Sequence, residues 1–164
     1  FIEVLKQRPF HMLPAVNTLF NALLVHPQFK SLDFASLCVS QAGGMAASEG
    51  TARNWFEATG CPMIEGWGMS ETCAIGTNNP VTNKVFNGSI GLPLPGIEIG
   101  IKDEEGRSMP IGAHGEICIK GPNVMKGYWN SKQATADVTT FDGFLRIGDV
   151  GYMDEDGFVF IVDR

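Results

Sequence analysis

The chain has 164 residues, 44% of them hydrophobic and 18% charged, with a formal net charge of −6. That length and apolar content support a buried core, in one domain or two small ones, and exclude a disordered segment. The acidic balance argues against a nucleic-acid partner and against unassisted binding to an anionic membrane surface, since both favour basic patches.

In chain order, residues 1–7 read as the tail of a helix stopped by Pro9. A helix is expected over 17–25, with Leu19, Phe20, Leu23 and Leu24 on one face and Asn17 capping its start; Pro27 forces the exit. Residues 37–40 read as a buried strand. Ser48 caps a second helix whose Ala52, Trp55 and Phe56 face inward, with Gly60 and Pro62 as stop signals. Residues 62–64 are the next strand. Strand, glycine turn, helix, strand is the βαβ rhythm of a parallel sheet. Ligands in such sheets sit at the carboxyl ends of strands, where both Gly43-Gly44 and the stretch 66–72 fall.

Residues 78–87, polar and turn-prone around Pro80, read as a linker. Beyond about residue 85 the period changes to two. Ile97, Ile99 and Ile101 alternate with Glu98, Gly100 and Lys102; Ile117 and Ile119 repeat the pattern, as do Phe158 and Phe160. Asp103-Glu104-Glu105-Gly106 and Asp154-Glu155-Asp156-Gly157 are near-copies, each a turn closed by glycine. One short helix is expected over 131–138. The expected fold class is therefore α/β followed by mostly β: a βαβ part over 1–77, a linker over 78–87, and an antiparallel, barrel-like part over 88–164.

Cys38, Cys61, Cys73 and Cys118 form no C-x-x-C pair, so neither zinc nor a disulfide framework is indicated, and a reducing cytosol is the simplest compartment. There is no initiator methionine, signal peptide or long apolar span. Both ends fall in mid-pattern, so the chain is expected to be a piece of a longer protein. In isolation such a piece should expose strand edges and apolar surface and self-associate.

Chemistry concentrates in Gly66-Trp67-Gly68-Met69-Ser70-Glu71-Thr72. Glycines let backbone approach a ligand closely, an indole offers a stacking face, and a carboxylate beside hydroxyls suits Mg²⁺ held jointly with phosphates. Base, phosphate and metal describe a nucleotide site. These seven residues alone fit a polar strand-to-loop turn as well. Three further blocks change the balance: Ser89-Ile90-Gly91-Leu92-Pro93-Leu94-Pro95-Gly96, Gly121-Pro122-Asn123-Val124-Met125-Lys126-Gly127-Tyr128-Trp129, and Asp142-Gly143-Phe144-Leu145-Arg146-Ile147-Gly148-Asp149.

With Gly43-Gly44-Met45-Ala46 before them, these blocks in this order resemble the adenylate-forming superfamily, and most closely its long-chain fatty acid–CoA ligases. The resemblance covers essentially the whole chain. It implies ATP, a fatty acid and CoA as substrates, with Mg²⁺ as cofactor. It implies that Glu71 binds the metal, that Thr72 places its hydroxyl on phosphate, and that Trp67, between Gly66 and Gly68, stacks on adenine where the family usually has tyrosine. Asp149 would accept from both ribose hydroxyls. Gly43 and Gly44 would line the passage between adenine and acyl pocket, and Arg164 would contact ribose at an interdomain hinge. Phe144, Arg146 and Ile147 depart from the usual fatty-acyl pattern.

The family's glycine-rich phosphate loop and its lysine-bearing C-terminal domain have no counterpart in these residues, so the piece alone is expected to be inactive. A cytoplasmic parent is implied, with peripheral contact at the inner membrane face left open. The alternatives are another adenylate-forming enzyme (short-chain, aryl or peptide-synthetase) and a non-catalytic scaffold.

Overall fold

A computed structural model of the chain describes residues 1–83 and 85–163. The chain divides into two compact units, one of Phe1–Gly66 with Asn79–Gly88, the other of Trp67–Asn78 with the residues from Ser89 onward.

The first unit carries helix α1 (Ile2–Leu5), strand β1 (Met12–Ala15), helix α2 (Asn17–Leu24), strand β2 (Val39–Ala42), helix α3 (Glu49–Thr59) and all but the last residue of strand β3 (Met63–Trp67). Strands β1, β2 and β3 are parallel neighbours in that order, with Leu13 opposite Ser40 and Ser40 opposite Met63. The expected βαβ unit is there, with a further parallel strand on its flank. Strand β1 was not expected, because Pro14 breaks the strand signal. It lies at the end of this parallel order, where a residue without an N–H is tolerated.

Ser48 caps α3, its hydroxyl accepting from the Thr51 amide at 3.0 Å, and Gly60 ends the helix in the left-handed region at φ 72°. Helix α2 begins without a side-chain cap: Asn17 is its first residue, and the Asn17 amide oxygen accepts from the Ser48 amide instead. The core gathers on Trp55 and Phe20, both fully buried with ring centroids 4.7 Å apart, and Phe29, 5.3 Å from Trp55. Tryptophan is buried only where its N–H finds an acceptor. Here it donates to Ser40 Oγ on β2 at 2.8 Å, which ties the helix to the strand beneath it. Phe56, expected inward, is 48% exposed. The buried face of α3 is Thr51, Ala52 and Trp55, and Phe56, one turn on from Ala52, lies about 40° past its edge.

The second unit holds a short antiparallel pair, β4 (Thr77–Asn78) with β5 (Leu92–Pro93), and a four-stranded antiparallel sheet. The sheet runs β6 (Glu98–Lys102), β7 (Gly115–Lys120), β8 (Leu145–Met153), β9 (Val159–Asp163) in sequence order, with helix α4 (Lys132–Asp137) between β7 and β8. The mainly antiparallel character is as expected, but the strands follow one another in a linear order in which the barrel-like closure is not seen. Its core is Ile101, Ile117 and Val159. In β9 the alternation has the expected period and the opposite phase: Val159 is buried, and Phe160 stacks on Tyr152 at 4.9 Å. Lys102, placed outward by the alternation, is 1% exposed. Its ammonium donates to Asp142 at 2.7 Å and to the Gly106 carbonyl, and sits 4.5 Å from the centroid of the Phe144 ring.

The units cross the expected boundaries twice. The Asn79 backbone and side-chain nitrogens both donate to the Glu65 carbonyl, and Phe86 packs on the first core, so 79–88 is part of the first unit rather than a free linker. Residues 67–78 go with the antiparallel part instead.

Candidate functional site

The glycine-flanked stretch begins inside β3, whose last residue is Trp67. From there the chain turns through a 3₁₀ segment, Ser70–Thr72, and comes back on itself, the Gly76 amide donating to the Trp67 carbonyl at 2.8 Å. The loop is tight. A Cβ on Gly68 would stand 2.1 Å from the Ala74 carbonyl oxygen, and one on Gly76 would stand 2.9 Å from Trp67 Cζ3. Both glycines are therefore needed for close approach, one of backbone to backbone and one of backbone to the indole. Cys73 and Ala74 take positive φ, 50° and 86°, a cost that the surrounding contacts must hold in place.

Thr72 is fully buried, and its hydroxyl is engaged within the turn: it accepts from the Met69 amide at 3.0 Å and donates to the Met69 carbonyl at 3.1 Å. Glu71 is half-buried, and its Oε1 accepts from the Tyr128 hydroxyl at 3.0 Å. That bond to the carboxylate is the main reason the Tyr128 phenol is held above its ordinary pKa, because ionisation would remove the proton it donates. The Glu71 carbonyl accepts from the Met125 amide at 2.7 Å, and Asn123 Nδ2 donates to the carbonyls of Thr72 and Ile75. Residues 121–129 thus hold the turn from outside it.

Asp149 lies in the middle of β8 and is 1% exposed. Gly148, just before it in the strand, takes φ 79°, and its amide donates to Glu116. Glu116 also pairs with Arg146, so one of the three residues that depart from the fatty-acyl pattern is engaged on the sheet itself. Asp149 Oδ2 accepts from Trp67 Nε1 at 3.2 Å. An indole and a carboxylate separated by 82 positions, read from different sequence blocks, are therefore hydrogen-bonded partners.

Gly43, Gly44 and Gly66 belong to the first unit. A Cβ on Gly43 would be 3.5 Å from the Gly66 carbonyl, and Gly44 needs its glycine for φ 74°. Nearby Glu65 is buried, its Oε1 accepting from the Ala47 amide at 2.7 Å. Burial raises its pKa, and that amide pulls it partly back. Arg164 lies outside the described residues. The sequence reading gave no role to Tyr128, Asn123 or the Met125 amide. All three lie in the 121–129 block, and no local spacing links that block to a turn some fifty residues earlier.

The sequence profile of the AMP-binding enzymes matches residues 1–129. The chain is 44% identical over 163 residues to a long-chain-fatty-acid–CoA ligase of Yersinia pestis, covering 99% of this chain and 29% of that protein. It is 37% identical to the ligase of that name from Bacillus subtilis, again covering 99% and 29%. Among solved structures, ATP-bound MatB from Rhodopseudomonas palustris superposes with a TM-score of 0.89 at 35% identity, over 99% of this chain and 32% of that one. The anthranilate CoA ligase AuaEII in complex with anthranoyl-AMP gives 0.88 at 25% identity, over 99% and 31%. The chain thus spans about a third or less of the length of the relatives it matches.

Proposed function

The chain belongs to the AMP-binding enzyme family, and we propose that it is part of a longer AMP-forming long-chain fatty acid–CoA ligase. In the reaction a fatty acid carboxylate attacks the α-phosphate of ATP and pyrophosphate leaves. The CoA thiol then attacks the acyl carbonyl and AMP leaves. The observation that carries this reading is the Trp67–Asp149 hydrogen bond, which joins the residue suited to an adenine with the residue suited to a ribose. The high identity to long-chain ligases across the chain supports the fatty-acyl branch.

On this reading the Trp67 ring lies against the adenine and Asp149 accepts from the ribose hydroxyls. Gly43, Gly44, Gly66 and Gly68 keep backbone close to the ligand. Thr72 has one hydroxyl proton, now given to Met69, so donation to a phosphate oxygen requires that proton to turn outward. Arg164 would reach the ribose from the hinge of the longer protein, and the antiparallel strands would belong to a barrel-like part completed there.

Among the described residues no three His, Cys, Asp or Glu side chains converge on one point. The oxygen donors of the 70–72 turn therefore fit a magnesium ion shared with nucleotide phosphates rather than one caged by protein. Glu71 would hold it, and when bound the ion neutralises charge that develops on the phosphates as pyrophosphate departs.

The test is steady-state kinetics on the longer protein. Asp149→Ala raises KM for ATP about tenfold or more with a smaller loss in kcat, the mark of lost uniform binding. Glu71→Gln keeps the size of the side chain, removes its charge, and lowers the adenylation rate itself. Unchanged KM for ATP in the first variant, or unchanged Mg²⁺ dependence in the second, contradicts the assignment of that residue.

A further inference from the structure

Residues 121–129 have no part in the roles assigned above, yet this segment makes four hydrogen bonds to the turn that carries Glu71. Asn123 Nδ2 bridges the carbonyls of Thr72 and Ile75, the Met125 amide takes the Glu71 carbonyl, and the Tyr128 hydroxyl takes Glu71 Oε1. The carbonyls bridged by Asn123 bracket Cys73 and Ala74, the two residues at positive φ. A non-glycine pair in that region persists only when contacts on both sides over-determine it. With the backbone fixed from beneath, the remaining freedom is in the Glu71 side chain, and the phenol removes it by holding one carboxylate oxygen. Among the described residues no hydrogen bond engages Oε2.

We propose, resting on the nucleotide-site reading, that Tyr128 is a positioning residue that aims the Glu71 carboxylate at the cation on the nucleotide phosphates, with Asn123 and the Met125 amide fixing the backbone under it. A glutamate with three free torsions samples many directions. One hydrogen bond from a fixed donor selects the direction in advance, so less order has to be imposed when metal and nucleotide bind. The role of Tyr128 runs through Glu71, the side chain that its hydroxyl holds.

The experiment uses the longer protein with Tyr128→Phe, Glu71→Gln and the double variant. Tyr128 is 39% exposed, so loss of its hydroxyl leaves the core intact. The first readout is binding of Mn²⁺ in the presence of a non-hydrolysable ATP analogue, followed by electron paramagnetic resonance. Tyr128→Phe is expected to weaken Mn²⁺ binding about three- to tenfold, the scale of one partly exposed hydrogen bond to a carboxylate. In the Glu71→Gln background the same change has no further effect, because the group it acts through has lost its charge. The second readout is pyrophosphate exchange, in which the Mg²⁺ concentration for half-maximal rate rises while KM for the carboxylic acid stays constant. Wild-type Mn²⁺ affinity in Tyr128→Phe overturns the proposal, and so does an equal loss in the Glu71→Gln background. Wild-type protein that exchanges pyrophosphate with no carboxylic acid overturns the ligase reading instead, and the Mn²⁺ arm still decides the role of Tyr128.

Discussion

Replacing Trp67 by phenylalanine keeps a stacking face and deletes the indole N–H that donates to Asp149 Oδ2. The acceptor is the Asp149 carboxylate, bonded at 3.2 Å. A hydrogen bond to a charged group contributes about 1.5–3 kcal/mol. The smaller ring also leaves part of the space beside Gly76 unfilled, which adds roughly 1 kcal/mol of packing loss. A double-mutant cycle separates the two: Trp67→Phe, Asp149→Ala and the pair, each followed by urea denaturation with circular dichroism. The coupling energy isolates the hydrogen bond, and about 1.5–3 kcal/mol is expected. In the Asp149→Ala background Trp67→Phe should then cost only its packing share. Additive effects, with coupling inside about 0.5 kcal/mol, would refute the claim that these residues act as one unit. In the longer protein Trp67→Phe should raise KM for ATP less than Asp149→Ala does, since the face against the base survives.

Three further outcomes follow from the same geometry. Asp142→Asn leaves the buried Lys102 ammonium without its 2.7 Å counter-ion and should lower the urea midpoint of the second unit, whereas Lys102→Met combined with Asp142→Asn should recover most of that loss. Ser48→Ala removes the cap on the Thr51 amide and should cost about 1 kcal/mol by the same assay. The raised pKa of Glu65 makes its stabilising contribution complete below the ordinary value of 4.5 and lost as pH rises through the folded-state value. Glu65→Gln keeps an acceptor for the Ala47 amide and cannot ionise, so the difference in Tm between variant and wild type should widen as pH rises above 4.5 and then level off; parallel Tm–pH curves would show that Glu65 carries no burial cost.

How much of this was legible in the sequence differs element by element. Helix α3 was legible because periodicity and caps agree, with Ser48 and Gly60 bounding it as their chemistry dictates; α2 was legible by periodicity alone. Strand β1 was hidden by Pro14, whose missing N–H matters only on a paired side. Strand β8 was hidden by two glycines. One of them, Gly151, is there because a Cβ would stand 2.1 Å from the Phe160 carbonyl on β9, a constraint visible only once the strands pair. Lys102 was misplaced because alternation assumes one wet face, and at that end of β6 both Ile101 and Lys102 are covered. The candidate site was legible by resemblance, block by block. Its internal wiring was not, since Trp67 with Asp149 and Glu71 with Tyr128 are contacts across 82 and 57 positions that no local pattern encodes.

The most direct test of the central claim is carboxylate-dependent exchange of labelled pyrophosphate into ATP by the longer protein. The measurement runs a long-chain saturated fatty acid against short-chain and aryl acids at saturating Mg²⁺. The account predicts exchange that depends on the long-chain acid, with the highest kcat/KM in the panel, and its loss in Glu71→Gln. Exchange with none of the acids, or a clear preference for an aryl acid, would contradict it.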